Sequence, residues 1–198
     1  MPSSNIDSGS LPPSYFEKMY AENPDPWHFE TSEYEAEKYA TTIAALPVSK
    51  YRSAFEIGGS IGVLTQKLAE RCQSLLSIDV SKQAQARAKE RCSHLPHIEF
   101  KIMQVPYQYP TRTFDLTVVS EVGYYWGKTD LPIAQKKIAR HLEPGGHLLL
   151  VHWTPYVESY PMTGDEVHSA FLEQVGTHYR SLVAKRKERY RLNLLERL

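Results

Sequence analysis

From residue 53 onward, short apolar runs alternate with amphipathic stretches. Ser53–Ile57 reads as a buried strand leading into a glycine-rich turn, and Val63–Arg71 as the helix after it. Leu75–Ile78 is the next apolar run and ends at Asp79; Ser81 then caps a helix expected to reach Arg91. Ile98–Met103 gives a third strand. Phe114–Ser120 (FDLTVVS) gives a fourth, and its near-continuous apolarity fits a strand covered on both faces. A helix over Leu131–His141 follows, then Pro144-Gly145-Gly146 and a fifth strand, His147–His152. This order predicts an open, mostly parallel α/β sheet wound by right-handed crossovers, with helices on both faces.

Beyond Thr163 the pattern continues with a helix over Asp165–Gln174 and two extended runs, His178–Ala184 and Tyr190–Leu195. The basic Lys185-Arg186-Lys187 between those runs reads as a solvated hairpin turn. A phosphate-binding patch is the sharper alternative, disfavoured because no aromatic residue is interleaved. At the other end, residues 1–13 (MPSSNIDSGSLPP) are rich in Ser and Pro and are expected to be disordered. Ser14–Tyr20 predicts a short helix stopped by Asn23-Pro24-Asp25-Pro26, since residues before proline leave the α region. A second helix over Ser32–Leu46 carries Tyr39, Ile43 and Leu46 at helical spacing and ends at Pro47. Residues 14–50 thus read as a helical arm or lid ahead of one domain, 51–198.

Composition narrows the classes. The 198 residues are 41% hydrophobic and 23% charged, a globular balance that excludes disordered, collagen-like and coiled-coil chains. Lys+Arg and Asp+Glu both number 23, so no global field draws the chain to nucleic acid or an anionic membrane. The longest apolar run, Leu148–Val151, is far too short for a bilayer, and the first ten residues lack the hydrophobic region of a secretion signal. Cys72 and Cys92 form no disulfide framework, and the histidines show no metal-ligand spacing. These readings predict a cytoplasmic protein without a metal.

The chemistry concentrates in Phe55-Glu56-Ile57-Gly58-Gly59-Ser60-Ile61-Gly62. A strand feeding a glycine turn and then a helix brings backbone N–H groups close to a ligand at the carboxyl edge of a sheet. Asp79 ends the next strand, about 20 residues on, where a carboxylate accepts from ribose hydroxyls. A structural turn with a helix-capping Asp is the plainer reading. A nicotinamide site needs G-x-G-x-x-G, and counting from Gly58 the third glycine position is Val63, so that fingerprint fails.

Glu56, two residues before the first glycine, is instead the mark of class I S-adenosylmethionine (SAM) methyltransferases with a Rossmann-like fold, which the chain resembles. More narrowly, it resembles the nodulation protein NodS family of N-methyltransferases acting on an amino-sugar oligosaccharide. The matching blocks are Asp25-Pro26-Trp27, Tyr34–Lys38 (YEAEK), FEIGGSIGVLTQKLA at 55–69, Ile78-Asp79-Val80, Phe114–Tyr125 and Leu142–Leu149 (LEPGGHLL). Ser60 departs from the middle glycine of the general motif, and Gln104 stands where many relatives carry an acid that reads the adenine amine; a Gln carbonyl also accepts there.

The resemblance implies that Glu56, Gly58, Gly59, Ser60 and Gly62 surround the methionine end, Asp79 and Val80 the ribose, and Gln104 with Val105 the adenine. Trp27 and Lys38 would cover the cofactor and meet its carboxylate; a core anchor and a solvated helix face are their plainer readings. Glu121 ends the fourth strand and should face methyl transfer, with Tyr124 a second catalytic candidate; Tyr124, Tyr125 and Trp126 read either as an aromatic wall around the sulfonium or, equally, as packing. The plainer reading of Glu121 is a capping or salt-bridging carboxylate. His152 is a candidate for substrate contact or proton transfer; a structurally satisfied ring is its plainer reading. The implied function is SAM-dependent methyl transfer to an amine on a small molecule or oligosaccharide, with S-adenosylhomocysteine as product. An O-methyltransferase and a non-catalytic SAM-binding module stay open, as do the acceptor and the oligomeric state.

Overall fold

Seven strands form one sheet in the computed structural model, which describes residues 9–198: β1 (Ala54–Ile57), β2 (Leu75–Asp79), β3 (Ile98–Ile102), β4 (Phe114–Ser120), β5 (Leu142–Trp153), β6 (Tyr179–Arg186) and β7 (Tyr190–Arg197). Their spatial order is β3-β2-β1-β4-β5-β7-β6. The first five run parallel, as the alternating pattern predicts, and β7 and β6 add an antiparallel edge. The helices are α1 (Pro13–Glu22), α2 (Glu33–Ala44), α3 (Val63–Ala69), α4 (Lys82–Arg91), α5 (Asp130–His141) and α6 (Gly164–Leu172).

Side-chain alternation in the strands divides the core into two layers. Leu148 and Leu150 of β5 join α5 residues Leu131, Ala134 and Ile138 on one face, together with Phe16 and Tyr20 of α1. Leu149 and Val151 join Leu64 and Leu68 of α3, Tyr39 of α2 and Leu192 and Leu194 of β7 on the other. Helix starts follow capping chemistry: Ser32 and Ser81 accept from the Glu35 and Ala84 amides, and Thr163 with Glu166 forms a capping box.

Two expectations need correction. The expected disorder of residues 1–13 lies partly outside the described residues, but residues 9–13 are anchored. Leu11 N donates to the Tyr125 carbonyl (2.9 Å), Ser10 Oγ donates to Asp130 (2.5 Å), and Pro13 already opens α1. The fifth strand also starts earlier than His147. Leu142 pairs with Phe114, and the Pro-Gly-Gly segment is absorbed as an irregularity in the β4–β5 register. The Lys185–Lys187 segment ends β6 and enters the hairpin turn, with Lys187 N donating to the Tyr190 carbonyl and Arg186 paired with Asp165.

The parallel order reverses between β1 and β4, whose crossovers run to opposite sides. Such a switch point leaves a crevice at the carboxyl ends of the strands, where ligands of open α/β sheets bind.

Candidate active site

A cavity of about 520 Å³ opens at that crevice, a size suited to a small-molecule site. The β1–α3 loop forms its floor. Gly58 has φ +84°, and a Cβ there would lie 2.0 Å from Val122 Cγ2; a Cβ on Gly59 would lie 2.1 Å from Ser77 Oγ. Neither position admits a side chain. Ser60, which replaces a glycine of the general motif, takes φ +49° and is held twice. Its N–H donates to Asp79 Oδ2 (2.9 Å), and its Oγ shares a 2.5 Å hydrogen bond with Tyr20 Oη of α1.

Asp79 ends β2 with Oδ1 accepting from Ser81 N (2.8 Å). Burial raises its pKa from the usual carboxylate value, against the lowering effect of the backbone amides. Val80, Gln104 and Val105 continue the wall on that side. Trp27 lines the cavity too, stacked on Phe29 with centroids 5.4 Å apart, so it serves as an anchor and a wall at once.

Glu121 stands at the end of β4 with φ +55°. Its Oε1 accepts from Lys38 Nζ (2.6 Å), and its Oε2 accepts from Tyr124 Oη (2.7 Å) and the Trp153 amide (2.8 Å). Lys38 of α2 is 2% exposed and also donates to Glu35 Oε1 (2.9 Å). Burial alone would lower the Lys38 pKa, but the two carboxylates outweigh it and hold it up at about 12. Burial raises the Glu35 pKa, and Glu35 Oε2 is buried without a hydrogen-bond partner. Four carboxylates (Glu35, Asp79, Glu121, Asp130) and two cations (Lys38, Arg189) line the cavity among the described residues, so its wall is net negative.

Three expected site residues stand behind the wall. Glu56 is 1% exposed, and its Oε2 accepts from Thr65 (2.6 Å) and Ser77 (2.7 Å) hydroxyls, bracing the loop from below. Burial pushes its pKa up to about 7. Gly62 caps α3 at φ +84°, where a Cβ would lie 2.9 Å from Ala88 Cα; its lack of a side chain serves helix packing. His152 is fully buried, with Nε2 accepting from Gly123 N (3.0 Å), so it has no lone pair for a substrate. Tyr124 does reach the wall. Burial holds its phenol well above the usual range, making it a neutral donor to Glu121 and not a base. Tyr125 and Trp126 line the cavity, and Tyr160 stacks on Tyr124 with centroids 5.1 Å apart. Sequence reasoning missed Glu35, Tyr34 and Trp153. Glu35 precedes Lys38 by one helical turn, a spacing that puts both on one face.

Among the described residues no helix is long and apolar enough to cross a membrane. The family model of nodulation protein S (NodS) matches residues 16–153. Nodulation protein S of Rhizobium tropici is 35% identical over 127 residues, 63% of this chain and 53% of that protein; that of Sinorhizobium fredii is 32% identical over 127 residues, 63% and 59%. The chain thus spans little more than half the length of these curated relatives. Among solved structures, N-methyltransferase NodS of Bradyrhizobium japonicum WM9 in complex with S-adenosylhomocysteine superposes with a TM-score of 0.82 at 25% identity, covering 93% of this chain and 97% of that one. A methyltransferase-like protein from Pseudomonas syringae gives 0.73 at 35% identity, covering 84% and 100%.

Proposed function

The chain belongs to the nodulation protein S family, and from that membership we propose that it transfers a methyl group from SAM to the nitrogen of an amine on a small molecule or oligosaccharide. The observation that carries the reading is one cavity joining the side-chain-free Gly58-Gly59 floor, the Asp79 carboxylate and the Glu121 carboxylate at a sheet switch point.

The residues fit the cofactor. Asp79 has lone pairs left for ribose hydroxyls, and Gln104 and Val105 would meet the adenine. Two of the three Lys38 N–H groups are engaged, leaving the third for the methionine carboxylate. The net negative wall with its aromatic side chains suits a sulfonium cation. When bound, SAM supplies a methyl group whose C–S bond breaks as the nitrogen lone pair forms the new N–C bond, with sulfur keeping the electron pair.

The chain's own work is alignment and the exclusion of water. Tyr124, Tyr160 and Trp153 close the acceptor side with apolar surface. Glu121 accepts three hydrogen bonds, so about one acceptor position remains for an N–H of the incoming amine. That bond points the lone pair at the methyl group, and the proton leaves through Glu121 or to water. A hydroxyl acceptor needs a stronger base, and no histidine lines the cavity among the described residues. This favours nitrogen over oxygen. The test is a screen of amine, amino-sugar and hydroxylated acceptors with isotopically labelled SAM and mass-spectrometric detection. Label on nitrogen supports the reading, label on oxygen only overturns the acceptor class, and SAM binding with no turnover leaves a binding module.

A further inference from the structure

Behind the turn Gly123–Tyr125 runs a buried chain of hydrogen bonds whose members do not line the cavity. Gly123 N donates to His152 Nε2 (3.0 Å), and His152 Nδ1 lies 3.1 Å from His168 Nε2. His168 Nδ1 lies 2.7 Å from Asn193 Oδ1, and Asn193 Nδ2 donates to the Val183 carbonyl (3.4 Å). His152, His168 and Asn193 come from β5, α6 and β7 and are at most 1% exposed.

A backbone amide can only donate. His152 Nε2 is therefore bare, and its proton sits on Nδ1 and points at His168. The same logic puts the His168 proton on its own Nδ1, donated to Asn193. One amide sets the polarity of the whole chain, and the chain in turn holds the amide. The seat is tight, because a Cβ on Gly123 would lie 2.6 Å from Val167 Cγ1 and 2.8 Å from His152 Nε2.

We infer that His152, His168 and Asn193 are positioning residues for methyl transfer: by holding the Gly123 turn they hold the Glu121 carboxylate and the Tyr124 hydroxyl in place for the acceptor. The inference rests on the methyltransferase reading above. Glu121 and Tyr124 flank the anchored glycine, and Glu121 is in the left-handed region, where a residue keeps its place only if its surroundings fix it.

The arrangement has a defined way to fail. A proton on His168 Nε2 would face the Nδ1–H of His152. His152 would have to move its own proton to Nε2, where it confronts the Gly123 N–H. One proton at the far end thus dislodges the turn. In the native chain burial holds the His168 pKa down at about 4; the Asn193 contact, Asp165 of its own helix and Glu121 act to raise it, and Arg191 of β7 to lower it. Burial holds His152 well below the usual range, with His168 and Lys38 of α2 acting the same way.

Asn193→Asp tests this. The carboxylate has nearly the same shape and still accepts from Nδ1–H, but it favours the imidazolium. The ratio of variant to wild-type kcat should fall about tenfold or more on going from about pH 9 to about pH 6, where a histidine so paired becomes charged. The acceptor's own titration cancels in that ratio, and affinity for S-adenosylhomocysteine should change little. Independently of turnover, 15N NMR of the wild-type imidazoles should report Nδ1–H on both rings. At the lower pH the Asn193→Asp protein should show a doubly protonated His168 and a displaced Gly123 amide signal. A ratio flat with pH, or an Nε2 proton on wild-type His152, overturns the inference even if the variant folds poorly. Absence of any methyl transfer with the NMR pattern intact would instead count against the enzymatic reading.

Discussion

Lys38→Met isolates the central electrostatic feature of the site. The substitution keeps an unbranched apolar stem and deletes the ammonium, leaving Glu121 and Glu35, with side chains 14% and 9% exposed, without their shared cation. Removing one partner of a buried pair costs about 3–5 kcal/mol. Because two carboxylates lose their partner here, the upper part of that range is expected, a large share of the ~5–15 kcal/mol that holds a typical fold. In a chain of this size that is a fall in Tm of roughly 10–20 °C. Urea and thermal unfolding followed by circular dichroism read it directly. The sign of the pH dependence is fixed as well. Burial already raises the Glu35 pKa, and without Lys38 the folded state binds a proton on Glu35 more tightly than the unfolded chain does. The deficit must therefore shrink as pH falls. A deficit under about 1 kcal/mol, the size of an exposed pair, or one that widens towards acid, would refute the reasoning. Adding Glu121→Gln to Lys38→Met should recover part of the loss if the pair is coupled.

Further predictions follow from the same geometry. Asp79→Ala removes hydrogen bonds worth about 1.5–3 kcal/mol each, so calorimetric affinity for S-adenosylhomocysteine should drop tenfold or more; equal affinities would sink the ribose assignment. Glu121→Gln should lower kcat well short of the ~10²–10⁴-fold loss of a general base while retaining any acid limb at the acceptor's own pKa; a limb that vanishes in the variant would make Glu121 the base. The Glu56 pKa of about 7 lies above its unfolded value, so the folded state binds the extra proton and stability falls as pH rises from about 4.5 to about 7. Relative to Glu56→Gln the wild type should lose about 3 kcal/mol across that window, and parallel stability curves would contradict it.

The strands β1, β2 and β4 were legible because each is a short, mostly apolar and buried run, and β4 agrees with its expected bounds at both ends. The early start of β5 was hidden because Pro144-Gly145-Gly146 reads locally as a break, whereas pairing of Leu142 with Phe114 overrides it. The placement of Asp79, Gly58 and Glu121 on the cavity wall was legible because the carboxyl ends of the strands open onto the crevice in this fold. Glu35 was not: a Glu one turn from a Lys reads as an ordinary solvated pair, and only packing of α2 against the sheet buries both. His152 was given a reactive role for the same reason. Its partners His168 and Asn193 lie on elements that meet it only in three dimensions, and they turn a titratable ring into a fixed acceptor.

The arm formed by α1 and α2 is bound to both halves of the site through its most strained residues. Three non-glycine residues have positive φ among those described: His28, Ser60 and Glu121. The last two are cavity residues, and such conformations cost about 1–3 kcal/mol each unless the surroundings over-determine them. In both cases the arm supplies part of that restraint, Tyr20 on Ser60 after β1 and Lys38 on Glu121 after β4. Glu17 of α1 adds a third tie, accepting from Ser81 Oγ (2.9 Å) and Lys82 N (2.7 Å) at the start of α4, directly after Asp79 and Val80. Loosening the arm would therefore release the loop that supports the Asp79 carboxylate and the Glu121 carboxylate together. The coupling runs through two hydrogen bonds to residues that cannot relax without leaving the left-handed region, so the arm belongs to the site's architecture as much as the sheet does.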